Sequence, residues 1–314
     1  MTRPGGVGYA VLAYGSWGLV PLFWPLIGPV HSVEVLAHRV VWSLVFAVVG
    51  WGALALWRRG IPDAVGLKSL RRPRTVLLLV LASIAISINW GVFIFAVQQG
   101  RMVETALGYY VNPILSIVLG VVVLSERLRR LQWVAVGIAA LAVVVLTTTY
   151  GRVPWISLTL AVSFGCYGLL KKRIRLGALT SLLVESAVLT PVALAFLVVL
   201  AQWQPPAFDP VGDPRTSILL VLAGLVTLLP LIWFSAAAAR VPLSLLGMLQ
   251  YITPTMQFLV GVLILAEPMP PGRWIGFALV WLSLVILSAD GLRRWKGNRR
   301  PPECVPPEGL AARR

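Results

Sequence analysis

Tyr110-Val111-Asn112-Pro113 and Tyr251-Ile252-Thr253-Pro254 stand 141 residues apart, each inside a long apolar run. The same offset, without a gap, pairs Gly120 with Gly261, Glu126 with Glu267 and Trp133 with Trp274. Upstream it pairs Phe93 with Phe234 and Ala96 with Ala237. Chance matches of Leu or Val mean little in apolar sequence, but Tyr, Pro, Gly, Glu and Trp in one register mark a tandem duplication. The copies span residues 7–149 and 155–290, and a basic tail, expected to be disordered, follows at 291–314.

Working outward from the motif, the first copy contains apolar spans near 7–29, 33–57, 76–99, 103–124 and 132–149. The second contains 155–170, 178–203, 216–239, 243–265 and 274–290. Runs of some twenty residues cross the roughly 30 Å of hydrocarbon as helices. In lipid only helices and closed barrels pair every backbone group, and these runs lack the roughly ten-residue alternation of barrel strands. The expected fold is an all-α integral membrane protein of ten transmembrane helices. Five spans is an odd number, so the second copy crosses in the opposite sense and the halves form two inverted five-helix repeats. Composition agrees: 58% of the 314 residues are hydrophobic and 12% charged, against about 25% charged in a soluble domain.

The net charge of +16 would suggest nucleic acid in a soluble protein. Here the cations sort by loop. With the N-terminus inside, the inner connections and tail hold 22 of the Lys and Arg residues, including Arg58, Arg59, Lys68, Arg71, Arg72 and Arg74. The outer connections hold Arg101, Arg152, Arg215 and Arg273 only, and Arg39 lies within a span. This asymmetry is the positive-inside signal. It excludes a nucleic-acid partner and predicts a multi-pass protein of the inner (plasma) membrane with both termini cytoplasmic. The first span contains Trp17, Pro21, Trp24 and Pro25, lacks a small-residue cleavage site, and is expected to stay in the mature protein. Tryptophans at span ends, such as Trp57, Trp133, Trp155, Trp203, Trp274 and Trp295, fit interfacial anchoring. Cys166 and Cys304 offer neither a disulfide framework nor zinc-ligand spacing. With no phosphate-binding glycine loop either, no cofactor or metal is expected.

Further segments carry a resemblance. They are Tyr14-Gly15-Ser16-Trp17-Gly18-Leu19-Val20-Pro21, Glu34-Val35-Leu36-Ala37-His38-Arg39 with Trp42-Ser43, and Asn89-Trp90. Leu107-Gly108-Tyr109-Tyr110-Val111-Asn112-Pro113, Gly120, Ser125-Glu126-Arg127 and Ser163-Phe164 with Tyr167-Gly168-Leu169 follow. Lys171-Lys172, Glu185, Gln250-Tyr251-Ile252-Thr253-Pro254 and Glu267 complete the set. As an ordered series from residue 7 to 290 they resemble RarD-type permeases of the EamA family, in the drug/metabolite transporter superfamily. The resemblance implies ten helices, a plasma-membrane location and passage of metabolites or drugs, without a defined substrate. Thr253-Pro254 departs from the family's Gly-Pro at that place.

Charged residues inside a span cost about 2.5–3.5 kcal/mol on insertion scales and usually face a cavity. Glu34, His38 and Arg39 are the densest cluster, with Glu34 and His38 on one helix face. Arg39 lies near Trp42 and Ser43, so a solute carboxylate or aromatic ring can meet guanidinium and indole together. The alternatives are that Arg39 snorkels to the interface and that Glu34 is an exposed loop residue. Asn89 and Trp90 sit deep in the third span, where an amide needs a helix or a solute as partner. Glu185 is either a proton-coupling carboxyl with a raised pKa or the partner of Lys171 or Lys172. Pro113 and Pro254 are expected hinges, with Tyr110, Asn112, Gln250, Tyr251 and Thr253 beside them as solute contacts or backbone partners. Glu126 and Glu267 read as caps of the following helices or partners of Arg127 and Arg273.

The function expected is a secondary transporter that moves a small-molecule solute by alternating access, with a proton as a possible coupled ion. Inverted repeats with a site between them suit that task. A polytopic membrane enzyme or a membrane sensor is the alternative. The partners expected are the solute and the bilayer, and the chain is equally compatible with a monomer or a dimer.

Overall fold

The computed structural model describes residues 5–59, 63–124, 130–174, 176–238, 240, 241, 246 and 249–297. Among them the chain forms no strand, and Asp209 and Asp213 make an isolated bridge. The helices are α1 (Gly6–Leu19), α2 (Ser32–Arg58), α3 (Ala64–Lys68), α4 (Pro73–Gln98), α5 (Met102–Leu124) and α6 (Arg130–Tyr150). After these come α7 (Trp155–Lys172), α8 (Ala178–Leu200), α9 (Pro214–Ala238), α10 (Ile252–Leu259) and α11 (Pro271–Gly297). Stretches within α2, α4, α6, α8, α9 and α11 are long and apolar enough to cross a membrane, and Trp155–Lys171 and Ile252–Ile264 are shorter apolar helices.

The surface is turned inside out relative to a soluble protein. Leu12, Val48, Val49, Leu77, Val144, Val198, Ile218 and Val285 are exposed, whereas Glu34, Arg39, Asn89, Glu104, Glu185 and Gln257 are buried. Apolar side chains of this kind face acyl chains at no cost, and polar ones are driven inward because lipid offers them no partner. The chain is a multi-pass membrane protein.

Three elements differ from the spans expected. The first span, 7–29, is helical only to Leu19; Val20–Leu22 and Trp24–Ile27 are 3₁₀ turns. Pro21 and Pro25, four residues apart, donate no backbone hydrogen bond, and losing both bonds within about one turn favours 3₁₀ turns here over a continued α-helix. Gly28, at φ +83°, takes a conformation that glycine adopts without strain and ends this corner, leaving Trp24 fully buried. The connection 58–75 contains α3 and a 3₁₀ turn over Ser69–Arg71. At the C-terminus α11 runs on to Gly297, into the stretch assigned to the tail; 298–314 lie outside the described residues.

The strongest packing pairs all join a helix before residue 151 to one after 154: α6 with α11, α2 with α8 and α9, α4 and α5 with α7, and α1 with α9 and α10. Small residues allow these approaches. A Cβ on Gly224 of α9 would lie 2.5 Å from the Trp42 carbonyl carbon, and one on Gly108 of α5 would lie 2.8 Å from the Ser157 oxygen. A Cβ on Gly18 of α1 would lie 2.6 Å from Met256 Cβ in α10.

The connections gather at two ends. At one, Gln98 Nε2 donates to the Val30 carbonyl at 2.9 Å and Ala207 N donates to Glu34 Oε1 at 2.9 Å. Glu267 also binds the start of α5 there. At the other, Asp63 Oδ2 accepts from Gly177 N at 2.6 Å, and the Arg240 guanidinium lies 5.1 Å from the Tyr9 ring.

Candidate functional site

Arg39 projects from α2 into the bundle with 7% of its surface exposed. It does not snorkel to the interface. Its Nε donates to Thr227 Oγ1 of α9 at 2.8 Å, and Thr227 in turn donates to the Ala223 carbonyl one turn back at 2.9 Å. The guanidinium carbon lies 4.1 Å from the centroid of Trp90 on α4 and 5.2 Å from that of Trp24 on the 3₁₀ corner. Trp42, the indole expected to meet a solute together with Arg39, is not one of these two rings. Trp42 packs instead on Phe208, at 5.8 Å between centroids. The tight contact of Gly224 with Trp42–Ser43 draws α9 against α2 and seats Thr227, one turn further, beside Arg39.

Among the described residues no carboxylate pairs with Arg39. Glu34 accepts from Ala207 N and is buried, so the reading as an exposed loop residue is overturned: the α8–α9 connection folds back over it. His38 lies on the same face and stacks on Phe208 at 5.6 Å. Glu104 pairs with Arg101 at 2.6 Å and Arg152 at 3.1 Å. Glu185 pairs with Lys171 at 2.7 Å and accepts from Tyr167 at 3.2 Å and Ser181 at 2.8 Å. Of the two roles expected for Glu185, the structure displays the ion pair, with Lys171.

Asn89 completes the centre. Its Nδ2 donates to the Leu160 carbonyl at 3.0 Å and Ser163 Oγ at 3.1 Å, and its Oδ1 accepts from Tyr109 at 3.0 Å. The amide therefore ties α4 to α5 and α7, and its helix-packing role is visible directly. Tyr109 sits between Phe93 and Phe164, at 5.8 and 6.0 Å. The structure thus assembles Arg39, Trp90, Trp24 and Thr227, with Asn89, the residue before Trp90 in α4, and its α5 partner Tyr109 beside them.

The Tyr-x-x-Pro residues fall elsewhere. Tyr110 Oη and Thr255 Oγ1 lie 2.8 Å apart, joining α5 to α10, and the Tyr110 ring meets Phe277 and Trp281 at 6.4 and 6.3 Å. Thr253 Oγ1 donates to the Tyr14 carbonyl at 2.8 Å. Tyr251 packs half-buried on the same aromatic core. Gln250 is exposed, and Asn112 Oδ1 is buried without a hydrogen-bond partner among the described residues. Pro113 lies inside the continuous helix α5, whereas Pro254 is in the first turn of α10, behind a turn at Gln250–Tyr251.

Glu267 corrects its expected role as well. It accepts from Met102 N and, at 3.0 Å, from Val103 N, so it caps α5 and not the helix that follows it, while the charge of Arg273, its other expected partner, also acts on it. Burial raises its pKa against the lowering effect of those two amides. Glu126 and Arg127 lie outside the described residues.

Sequence reasoning passed over Trp24, Thr227, Tyr109 and Phe208 as site residues. Thr227 carried a signal, because it is a lone hydroxyl within the apolar run 218–234. Phe208 carried none, since its place depends on how a loop folds.

The EamA-like transporter family model matches residues 4–148. Protein RarD of Streptomyces exfoliatus is 51% identical over 306 residues, covering 98% of this chain and 95% of that one. An uncharacterized transporter of Bacillus subtilis, YojE, is 41% identical, covering 93% of this chain and 95% of its own. Protein RarD of Escherichia coli K12 is 40% identical, covering 91% and 95%. A crystal structure 20% identical in sequence aligns over 91% of this chain and 98% of its own with a TM-score of 0.54, a likeness of fold alone. With relatives this similar over nearly its whole length, the chain belongs to the EamA-like transporter family as a RarD-type permease.

Proposed function

We propose that the protein is a secondary transporter, not an enzyme, which moves a small solute across the inner membrane by alternating access. The observation that carries this reading is the buried Arg39 guanidinium, stacked on Trp90 and lacking any described carboxylate partner. A structural arginine would be matched by an acid from a neighbouring helix. This one is left for a solute, with Thr227 and Asn89–Tyr109 holding its surroundings in place.

Two inverted repeats, at 7–149 and 155–290, supply the mechanism. Exchanging the halves turns the α1–α9 contact into α7–α4, α2–α9 into α8–α4, and α1–α10 into α7–α5. The contacts α2–α8, α5–α10 and α6–α11 map onto themselves. A two-fold relation between the halves produces such a pattern, and with its axis in the membrane plane, as the odd span count implies, a site open to one side can become open to the other. The loop cations support cytoplasmic termini. The drive is a proton gradient acting through Glu185 and its Lys171 partner, or the solute's own gradient.

Uptake into proteoliposomes with and without a pH gradient tests the reading, using amino acids and amphipathic drugs. Chloramphenicol belongs in the panel, because a Pseudomonas aeruginosa relative is a chloramphenicol-sensitive protein RarD, 32% identical. Wild-type protein is expected to move at least one solute, and Arg39→Ala to abolish it. If no solute moves and Arg39→Ala leaves drug resistance unchanged, the proposal is sunk. Cysteine labelling of 58–75 and 204–214 from either side checks the inversion, since both on one face refutes it.

A further inference from the structure

Unsatisfied donors gather around Arg39. An arginine carries five N–H donors and no acceptor, and Thr227 is the one hydrogen-bond partner of this guanidinium among the described residues. Trp24, fully buried beside it, has an indole Nε1–H with no hydrogen-bond partner among the described residues. Ser43 Oγ, one turn along α2, is likewise buried without a partner among the described residues. Unmet buried donors and an uncompensated buried cation are each costly, and a single acceptor bearing negative charge relieves both. Stacking on Trp90 covers a face of the guanidinium, and Nε is committed to Thr227. The in-plane Nη1 and Nη2 groups remain, and these form the fork that matches a planar carboxylate.

We propose that the transported solute is an organic anion, a carboxylate or its isostere, held by the Nη1 and Nη2 groups of Arg39 with its apolar part against Trp90 and Trp24. A neutral solute can accept from the donors but leaves the buried charge unmatched, and a cationic one adds to it, so the site discriminates against both. The inference rests on the transporter reading and narrows it to one chemical class. Arg39 is the binding residue; Thr227 is a positioning residue that fixes the fork through Nε.

The test uses the full chain in detergent at low chloride, with benzoate, benzenesulfonate, benzamide, benzylamine and potassium chloride as probes. Thermal unfolding and intrinsic tryptophan fluorescence are read together. Benzoate and benzenesulfonate are expected to raise the melting temperature and quench fluorescence with saturation, at least tenfold more tightly than benzamide or benzylamine. Arg39→Gln is expected to remove the response to both anions, and Arg39→Lys to weaken it while retaining preference for anions. Thr227→Val, which leaves the cation in place, is expected to weaken benzoate more than benzenesulfonate, because the sulfonate depends less on a planar fork.

Wild-type protein indifferent to both anions overturns the proposal, whatever the variants do, so a misfolded Arg39→Gln does not shield it. Chloride reproducing the benzoate effect overturns it too, in favour of a resident inorganic counter-ion. Failure of the broader reading looks different. If Arg39→Gln abolishes uptake of a neutral or cationic solute and the anions do not bind, the site stands and the anion assignment falls. If wild-type protein binds anions without moving any solute, the transporter reading falls and the anion site stands.

Discussion

Helices α2 and α8 pack against one another, and each carries a buried charge as its eighth residue: Arg39 in the run from Ser32, and Glu185 in the run from Ala178. The two charges have met opposite solutions. Glu185 is closed off by Lys171, Ser181 and Tyr167, so its charge is neutralised within the protein. Arg39 has Thr227 and two indoles, which are dipoles and quadrupoles but carry no opposite charge. A buried ion pair is self-contained, whereas a buried lone cation has an open electrostatic requirement. The difference separates a charge matched within the protein from one left open to a bound solute.

The comparison breaks most readily at Glu185. Glu185→Gln strands Lys171 as an unpaired cation and is expected to cost about 3 kcal/mol, the lower end for breaking a buried pair, because the lysine keeps some exposure. Chemical unfolding measures it, and Glu185→Gln with Lys171→Met together should recover most of the loss. An additive double variant would show that the pair is not the source.

Gly224→Ala comes next. Its Cβ would collide with the Trp42 carbonyl carbon and the Ser43 nitrogen, at 2.5 and 2.7 Å, and since backbone must move, about 2 kcal/mol of overpacking strain is expected. The shift also carries Thr227 away from Arg39, so uptake should fall more than stability does. Equal losses of both would argue that the α2–α9 contact does not position the site.

The sharpest contrast with Glu185 is Arg39→Met. Replacing a lone buried cation by an apolar chain of similar length recovers desolvation and loses one hydrogen bond and two cation–π contacts, so stability is expected to stay within about 1 kcal/mol of wild type. Transport should nevertheless be lost. A destabilisation as large as that of Glu185→Gln would mean that Arg39 is structurally paired after all.

The smallest effect concerns Glu267 at the capped end of α5. Its folded pKa is raised by burial, so the folded state binds the proton more tightly than the unfolded chain. The resulting stabilisation is full below the ordinary glutamate pKa and is lost as pH rises through the higher folded value. Glu267→Gln should flatten that slope just above the usual carboxylate range in thermal unfolding, while retaining part of the cap through its amide oxygen. An unchanged slope would place the pH dependence elsewhere.

Much of the fold was legible because burial in lipid imposes a simple rule on composition and length. The long apolar runs at 33–57, 76–99, 178–203 and 216–239 correspond to α2, α4, α8 and α9 with small shifts at the ends. The first run was misread beyond Leu19, because apolar composition conceals the backbone bonds that Pro21 and Pro25 remove. At the site, Arg39, Trp90 and Asn89 stood out as costly polar or aromatic residues deep in spans, and the structure brings them to one region. Tyr110 and Thr253 stood out for the same reason, yet their hydroxyls bridge packed helices away from Arg39. Cost of insertion identifies a residue that needs a partner without saying which partner it finds.

By itself the sequence determined the helical membrane class and the places of the long apolar runs. These follow from solvation, which acts on each segment through its own composition. Tertiary structure alone decided which polar groups meet. It gave Glu185 a lysine, Glu34 a loop amide and Glu267 the start of a distant helix. It left Arg39 between two indoles and a threonine. Pairing energies depend on distances of a few ångströms between residues remote in the chain, and only the packed bundle sets those distances.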